Sequence, residues 1–178
     1  MFLIDNNVMM GASAFVDDSQ LFGHAEPPDP ALRETIFNWL KDFDLADARM
    51  ILDDDGLIRA EYENNMRYNQ RSFDQEYGMR VLQSKIDRYQ VEFVPIETEV
   101  DGGGLIGKFP DRLGGIVLDR ADRKWISAAE ATYILHDAMP TIVYAAETDW
   151  YVIEAQLQEH GFRLQRLLPE AWYKARCE

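Results

Sequence analysis

Short apolar segments that alternate with amphipathic helices limit the folds open to this chain more than any other feature. The runs Phe2–Ile4 and 141–146 are almost entirely apolar, as are strands buried on both faces of a sheet. The periodicity predicts further strands at 48–52, 91–96 and 162–168 and helices at 31–43, around Glu61, at 73–89, from Asp122 and at 149–160. This alternation predicts an α/β fold, with helices on both faces of a central, mainly parallel sheet.

The length and the cysteine content set bounds on the class of protein. The 178 residues fit a single domain, which buries roughly 70% of the surface that the unfolded chain exposes. Cys177 is the only cysteine, so an intramolecular disulfide and a cysteine-based zinc site are excluded. The sequence has no run of about 18 apolar residues and no basic segment followed by a long apolar stretch at its start. We therefore expect a cytoplasmic protein that does not enter the membrane.

The chain is strongly acidic, with a formal net charge of -14 at pH 7. Because phosphate binding draws mainly on Lys and Arg, any contact with nucleic acid should be local. Two groups of basic residues are candidates, namely Arg59, Arg67, Arg71, Arg80, Lys85 and Arg88, and Arg163, Arg166, Lys174 and Arg176. Each group would form either a basic strip beside a site or, as is more common, a solvated helix face balanced by neighbouring acids.

Acidic residues stand where predicted strands end or predicted helices begin. Asp5 directly follows the first strand, Glu147 and Asp149 follow the strand at 141–146, and Glu61 and Asp122 accompany helices. In an open α/β sheet, ligands bind at the carboxyl ends of the strands. Carboxylates gathered there without Lys or Arg partners would repel one another, and a divalent cation is the usual remedy. The pattern therefore predicts a metal-dependent enzyme.

Two further segments have the composition of loops and turns. Residues 19–30 are rich in proline, and residues 101–118 are rich in glycine, which predicts two long loops. The second loop does not have the lysine followed by a hydroxyl residue that ends a phosphate-binding loop, since Phe109 follows Lys108, and we expect it to lie over the site as a flap. Asp53, Asp54 and Asp55 precede Gly56 and predict a tight turn, since their spacing is not that of a calcium-binding loop.

The acids lie in four segments that together span nearly the whole chain. These segments are Leu3-Ile4-Asp5-Asn6-Asn7, Ile58-Arg59-Ala60-Glu61-Tyr62, Ala121-Asp122-Arg123-Lys124-Trp125 and Ala145-Ala146-Glu147-Thr148-Asp149-Trp150. Their order and spacing resemble the motifs of the PIN domain family, which includes ribonuclease toxins of the VapC type and RNA-processing nucleases. The last segment departs from the family pattern, because Glu147 and Trp150 replace an Asp and a Phe. Either Glu147 or Asp149 can therefore be the acid that faces the metal.

The resemblance implies a PIN-like three-layer α/β/α sandwich that acts as an endoribonuclease, hydrolysing RNA phosphodiester bonds with Mg²⁺ or Mn²⁺. The implied catalytic residues are Asp5, Glu61, Asp122 and Asp149, the metal ligands are Asp5, Asp122, Asp149 and Glu147, and the substrate-binding residues are Asn7, Asn65, Arg123 and Lys124. Trp125 and Trp150 either stack on a base or, as is more common for a Trp in a helix, pack in the core.

Other functions and partners stay open at the level of sequence. A PIN-like module that binds protein or RNA without cleaving it would suit the acidic charge and the departure at Glu147. A phosphatase with a nucleophilic Asp is less consistent with the sequence, since Asp5-Asn6-Asn7 lacks the second acid of such loops. The resemblance also implies a homodimer. A role as the toxin of a toxin-antitoxin pair requires an antitoxin protein, for which the basic tail after Phe162 is a candidate contact surface.

Overall fold

The central sheet of the computed structural model has five strands that all run parallel. The structure describes residues 1–66, 75–116 and 118–177. The strands are β1 (Phe2–Ile4), β2 (Met50–Asp53), β3 (Val91–Val94), β4 (Thr98–Asp101), β5 (Gly104–Gly107), β6 (Thr141–Tyr144) and β7 (Arg163–Arg166). The sheet has the order β3-β2-β1-β6-β7, and β4 and β5 form a separate antiparallel hairpin. The predicted parallel sheet is confirmed.

Helices flank this sheet and complete a three-layer α/β/α sandwich. The helices are α1 (Asn6–Ser13), α2 (Pro30–Leu45), α3 (Leu57–Asn65), α4 (Tyr77–Asp87), α5 (Arg123–His136), α6 (Thr148–Glu159) and α7 (Glu170–Cys177). Helices α1, α2 and α4 pack against one another, whereas α5 packs across β1, β2, β3 and β6. Within the described ranges, no helix has the length and apolar content needed to cross a membrane.

The strand order reverses between β1 and β6. From β1 the chain adds β2 and then β3 on one side, whereas β6 returns to the other side of β1 and β7 follows it outwards. Ile4 pairs with Val143, so the two central strands end close to level. The crevice outside the carboxyl ends of parallel strands at such a reversal is the usual ligand site of an open α/β sheet. Asp5 and Glu147 follow the two strands that border this crevice.

Three elements differ from the sequence-based expectations. Residues Asn6–Ser13 after β1 form α1, where the sequence pattern predicts no helix. The predicted long loop at 101–118 is wrong in part, because its first residues complete the hairpin and Asp111–Leu113 forms a short 3-10 helix. Helix α7 follows Pro169, where the sequence pattern predicts no helix. The predicted helix at 73–89 corresponds to α4, and its residues 73 and 74 lie outside the described residues.

The turn predicted at Asp53 is confirmed, and it also caps a helix. Asp53 is buried at the end of β2, and its carboxylate accepts hydrogen bonds from the backbone N–H groups of Leu57 and Ile58, both at 2.8 Å. Asp54 and Asp55 are exposed. These bonds satisfy amide groups that the first turn of α3 leaves without helical partners. Asp53 therefore has a structural role at the start of the helix that carries Glu61.

The hairpin packs against the start of α5 through a glycine. A Cβ atom on Gly107 would lie 2.6 Å from Lys124 Cα and 2.8 Å from Lys124 N. Both neighbours are backbone atoms, so they could not move aside without displacing the helix or the hairpin. The absence of a side chain at Gly107 is therefore what lets β5 approach the N-terminal turn of α5 so closely.

We predict that Gly107→Ala destabilises the protein by about 1–3 kcal/mol, because the added methyl group overpacks a contact between two backbones. Gly104→Ala in the same strand is the matched control, since a Cβ there comes no closer than 4.0 Å to its nearest neighbour. The control should change the free energy of unfolding by less than about 0.5 kcal/mol. Urea denaturation followed by circular dichroism measures both variants. Equal stability of the two variants would contradict this account of the packing.

Candidate active site

Asp5 lies at the centre of the candidate site, where β1 ends and α1 begins. Its side chain is buried, with a relative exposure of 2%. One carboxylate oxygen accepts a hydrogen bond from the backbone N–H of Asn7 at 2.8 Å and so caps α1, and the other accepts one from Trp150 Nε1 at 3.3 Å. A carboxylate has about four acceptor positions, so these two bonds leave others for a further partner. The capping role and a role in binding an ion are therefore compatible.

Glu147 approaches Asp5 from the neighbouring strand. It follows β6, is half-buried, and accepts hydrogen bonds from Asn7 Nδ2 at 3.0 Å and from the backbone N–H of Asp149 at 3.3 Å. Asp149 itself is exposed in the first turn of α6. Asn7 thus connects the segments after β1 and β6 by donating its backbone N–H to Asp5 and its side-chain amide to Glu147. Of the two candidate acids, Glu147 is the one that the structure brings to Asp5.

Glu61 reaches the same region from α3. The neighbouring residue Tyr62 is completely buried and donates its hydroxyl to the backbone oxygen of Ile4, the residue before Asp5. This bond joins α3 to the end of β1. Glu61 forms an ion pair with Lys124 of α5, whose side chain is only 9% exposed. The Glu61 carboxylate is therefore already paired with a cation from the protein.

Asp122 completes the group at the start of α5. Its backbone N–H donates to the Asp119 oxygen at 3.0 Å, but its side chain makes no capping hydrogen bond to α5. Asp119, the alternative acid three residues earlier, is exposed. The carboxylate of Asp122 is half-buried and close enough to Asp5, Glu147 and Glu61 to be affected by their charges. Asp122 is therefore the acid of this segment that belongs to the group, which we call the acid cluster: Asp5, Glu61, Asp122 and Glu147.

The pKa values of the cluster show that its negative charge is incompletely compensated. Burial raises the pKa of Asp5 to about 7, and the charges of Glu61 and Glu147 add to this effect. Burial also raises the pKa of Asp122 to about 8, with a further contribution from the charge of Asp5, whereas the Lys124 ammonium opposes the increase. The pKa of Glu147 is raised, again chiefly by burial. A bound cation would favour the charged form of all three groups.

The donor set fits a hard divalent cation. Mg²⁺ and Mn²⁺ prefer oxygen ligands, and the cluster offers carboxylates from Asp5, Asp122 and Glu147. Beside Asp5, the buried Asn6 Oδ1 accepts no hydrogen bond from the part of the chain that the structure describes. Over that same part, no three His, Cys, Asp or Glu side chains already converge as they would around an ion. Binding would therefore require the carboxylates to close in on the ion.

Two of the predicted substrate-binding residues are held by other contacts, and a third lies at the surface. Arg123 forms an ion pair with Glu99 of the hairpin at 3.5 Å and lies over the ring of Phe109. Lys124 is bound to Glu61, as described above, and donates to the backbone oxygen of Ala121. Asn65 is exposed at the last residue of α3. Any contact of Arg123 with a substrate would require it to exchange Glu99 for a phosphate.

Apart from the exposed Arg163, the described members of the two basic groups have acidic, backbone or aromatic partners, as on solvated faces. Lys85 differs from the other members because its side chain is buried. It donates hydrogen bonds to the backbone oxygens of Ala46 and Ala48. Other members with ionic or aromatic partners are Arg59 with Glu63, Arg88 with Asp44, Arg80 over Tyr77, Arg166 with Glu154 and Glu170, Lys174 with Glu170, and Arg176 over Trp172. Arg67 and Arg71 lie outside the described residues. These pairings favour the interpretation as balanced helix faces over a basic strip.

Buried aromatic residues support the cluster from beneath. Trp125 and Trp150 are both completely buried, so the idea that they stack on a base is wrong and core packing is confirmed. Trp150 donates to Asp5, and Tyr62 packs against Trp125 with ring centroids 6.0 Å apart. Tyr173 of α7 donates its hydroxyl to the Ala145 oxygen at 2.6 Å, two residues before Glu147. Sequence periodicity could place these side chains in the core but could not reveal their hydrogen bonds to the site.

No protein-family model matches this chain, and no curated protein or solved structure matches it either. The likeness to PIN domains therefore stays a prediction, and the geometry of the acid cluster has to carry the functional argument.

We predict that the metal-free protein loses stability as the pH rises from about 4 to about 8. The pKa values of Asp5 and Asp122 are raised above their ordinary value of 3.8, so protonation favours the folded state. Their contribution to stability is complete below the unfolded pKa and is lost as the pH rises through about 7 and about 8. The slope for one such group approaches about 1.4 kcal/mol per pH unit.

Urea denaturation in chelator at a series of pH values measures this dependence. The double variant Asp5→Asn/Asp122→Asn should lose most of the slope, and the exposed-acid control Asp54→Asn should keep it. If the double variant shows the full wild-type slope, the raised pKa values of Asp5 and Asp122 are refuted.

Proposed function

We propose that this protein is a metal-dependent endoribonuclease with a PIN-like fold that hydrolyses RNA phosphodiester bonds. The observation that carries the proposal is that Asp5, Asp122 and Glu147 lie near one another at the reversal point of a parallel sheet, with pKa values raised chiefly by burial and further by neighbouring carboxylates. Strongly perturbed carboxylates at this edge of an α/β sheet are typical of functional sites. Their oxygen-only chemistry favours Mg²⁺ or Mn²⁺ as the ion.

Three members of the cluster and several of their neighbours have defined tasks in this proposal. Asp5, Asp122 and Glu147 would hold the ion, and Asp149 would act from the rim of the site. When bound, the ion would lower the pKa of a water ligand and neutralise charge on the phosphodiester as its bond to the leaving oxygen breaks. Asn7 orients Asp5 and Glu147 together through its two hydrogen bonds. The buried rings of Trp125, Trp150 and Tyr62 exclude water from the floor of the site.

The choice of RNA as substrate rests on the family resemblance and on the local charge pattern. Arg120 and Arg123 flank Asp122, and their ion pairs with Asp101 and Glu99 lie on the exposed hairpin. Exposed ion pairs contribute little stability, so a phosphate could take the place of the carboxylates. A cytoplasmic location, a homodimer, and a role as the toxin bound by an antitoxin protein remain parts of the proposal that rest on sequence alone.

A catalytically inactive module that binds protein or RNA is the second candidate. The structural roles of the acids favour this candidate. Asp5 and Glu147 cap helices, and Glu61 is paired with Lys124. In that case the carboxylates would serve packing and capping alone. Metal-dependent cleavage distinguishes the two candidates directly.

We predict that the purified protein cleaves a mixed single-stranded and hairpin RNA in Mg²⁺ or Mn²⁺ and not in chelator. Asp5→Asn should lower the rate by roughly 100-fold or more, since the variant removes a charge at the centre of the cluster. The amide oxygen can still accept the hydrogen bond from Asn7, whereas the longer bond from Trp150 Nε1 is lost, so circular dichroism must confirm that the variant is folded. Absence of cleavage by the wild-type protein, together with metal-independent binding of RNA or protein, would favour the inactive module.

We further predict that the two acids after β6 differ in importance. Glu147→Gln should lower the cleavage rate by roughly 100-fold or more, because Glu147 belongs to the acid cluster. Asp149→Asn should lower it by less than about 10-fold, because the Asp149 side chain is exposed and only its backbone N–H contacts Glu147. Both variants keep the size of the original side chain, which makes them a matched pair. The reverse order of effects would assign the ion to Asp149.

A further inference from the structure

We infer that the ammonium group of Lys124 is a built-in cation of the active site, which neutralises Glu61 and limits the site to a single divalent ion. The inference rests on the proposed function, since it concerns how the acid cluster takes up metal. It separates the four acids into two groups: Asp5, Asp122 and Glu147 are available to an ion from solution, whereas Glu61 already has its cation.

The contacts of Lys124 are specific for one position of its ammonium group. Lys124 Nζ forms an ion pair with the Glu61 carboxylate and donates a hydrogen bond to the backbone oxygen of Ala121, the residue before Asp122. The Lys124 side chain is 9% exposed and that of Glu61 is 24% exposed, so water screens the pair only weakly. The ammonium group therefore lies between α3 and the segment that carries Asp122. Its charge opposes the repulsion that Asp122 experiences from the other acids.

The backbone at Lys124 is held in place by the hairpin. Gly107 of β5 approaches Lys124 Cα so closely that there is no room for a side chain between them. Ser127, one turn further along α5, donates its hydroxyl to the Lys108 oxygen at 2.7 Å and so joins the same two elements. A lysine on a flexible stem usually spreads over many rotamers. Here the burial of the stem, the fixed backbone and two acceptors place its charge beside Glu61.

A second divalent ion would need Glu61 as a ligand, because the other three carboxylates would already bind the first ion. The Lys124 ammonium occupies the position beside Glu61 that such an ion would take. One divalent ion and one ammonium then face four carboxylates, and the substrate phosphate adds further negative charge. Lys124 thus acts as a positioning residue that fixes the number of metal ions, in contrast to its predicted role as a simple phosphate contact.

The test counts the Mn²⁺ ions bound per chain by equilibrium dialysis and by titration calorimetry, for the wild type and for four variants. Wild type should bind one ion. Lys124→Gln should bind two, because Glu61 becomes available, and its midpoint of thermal unfolding should rise more on addition of Mn²⁺ than that of the wild type. Lys124→Arg keeps a cation and should bind one ion. Lys108→Gln is the matched control, since it removes a lysine that pairs with the exposed Glu97 outside the cluster, and it should also bind one.

Glu61→Gln keeps the inference testable even if Lys124→Gln does not fold. It should still bind one ion with an affinity within about threefold of the wild type, because Glu61 is not a ligand in the intact site. Two ions on the wild type, a single ion on folded Lys124→Gln, or loss of the ion from Glu61→Gln would each overturn the role of Lys124 while leaving a metal enzyme in place. A wild-type protein that binds no Mn²⁺ would instead refute the proposed function itself.

Discussion

Repulsion among carboxylates at one edge of the sheet is the constraint on which the rest of this structure depends. The fold brings Asp5 and Glu147 together because β1 and β6 are parallel neighbours, and Asp122 joins them from α5. Three helix N-termini begin at these same acids, those of α1, α5 and α6. Each of these helix N-termini carries roughly half a positive charge, which offsets part of the repulsion without any lysine side chain. The site is therefore acidic in its side chains and partly compensated by its backbone.

Capping a helix and binding an ion make compatible demands on the same carboxylate. A carboxylate that caps a helix has a fixed orientation, because one oxygen is directed at backbone N–H groups. Asp5 gains this orientation from Asn7 and a second restraint from Trp150. Glu147 gains it from Asp149 and Asn7. Asp5 and Glu147 are thus already restrained before an ion binds, which lowers the entropy that these two side chains would lose, whereas Asp122 would have to move toward the ion.

The sheet could be predicted from the sequence because its central strands β1, β2 and β6 are short, mainly apolar runs. The contacts that define the site could not be predicted in this way. Helix α1 carries two asparagines and Gly11, residues that usually indicate a turn. In the structure Gly11 lies within the helix and lets α1 approach Ile36 of α2 closely. The hairpin has exposed strands and adjacent glycines, so it lacks the alternation that signals a strand. The pair between Glu61 and Lys124 joins residues far apart in the chain, and no local pattern encodes it. Glu147 is distinguished from Asp149 only by the geometry of the cap.

The glycine-rich hairpin of β4 and β5 packs against the segment that carries Asp122. Its contacts fall on the residues around Asp122: Asp101 pairs with Arg120, Glu99 pairs with Arg123, and Gly107 packs on Lys124. The position of the Lys124 ammonium, and with it the charge left on Glu61, therefore depends on how the hairpin is seated. A shift of the hairpin would move Lys124, which follows Asp122 by two residues in the first turn of α5, and so would displace the acid cluster without touching its carboxylates. The glycine-rich segment is in this sense part of the candidate site and not a loop inserted beside it.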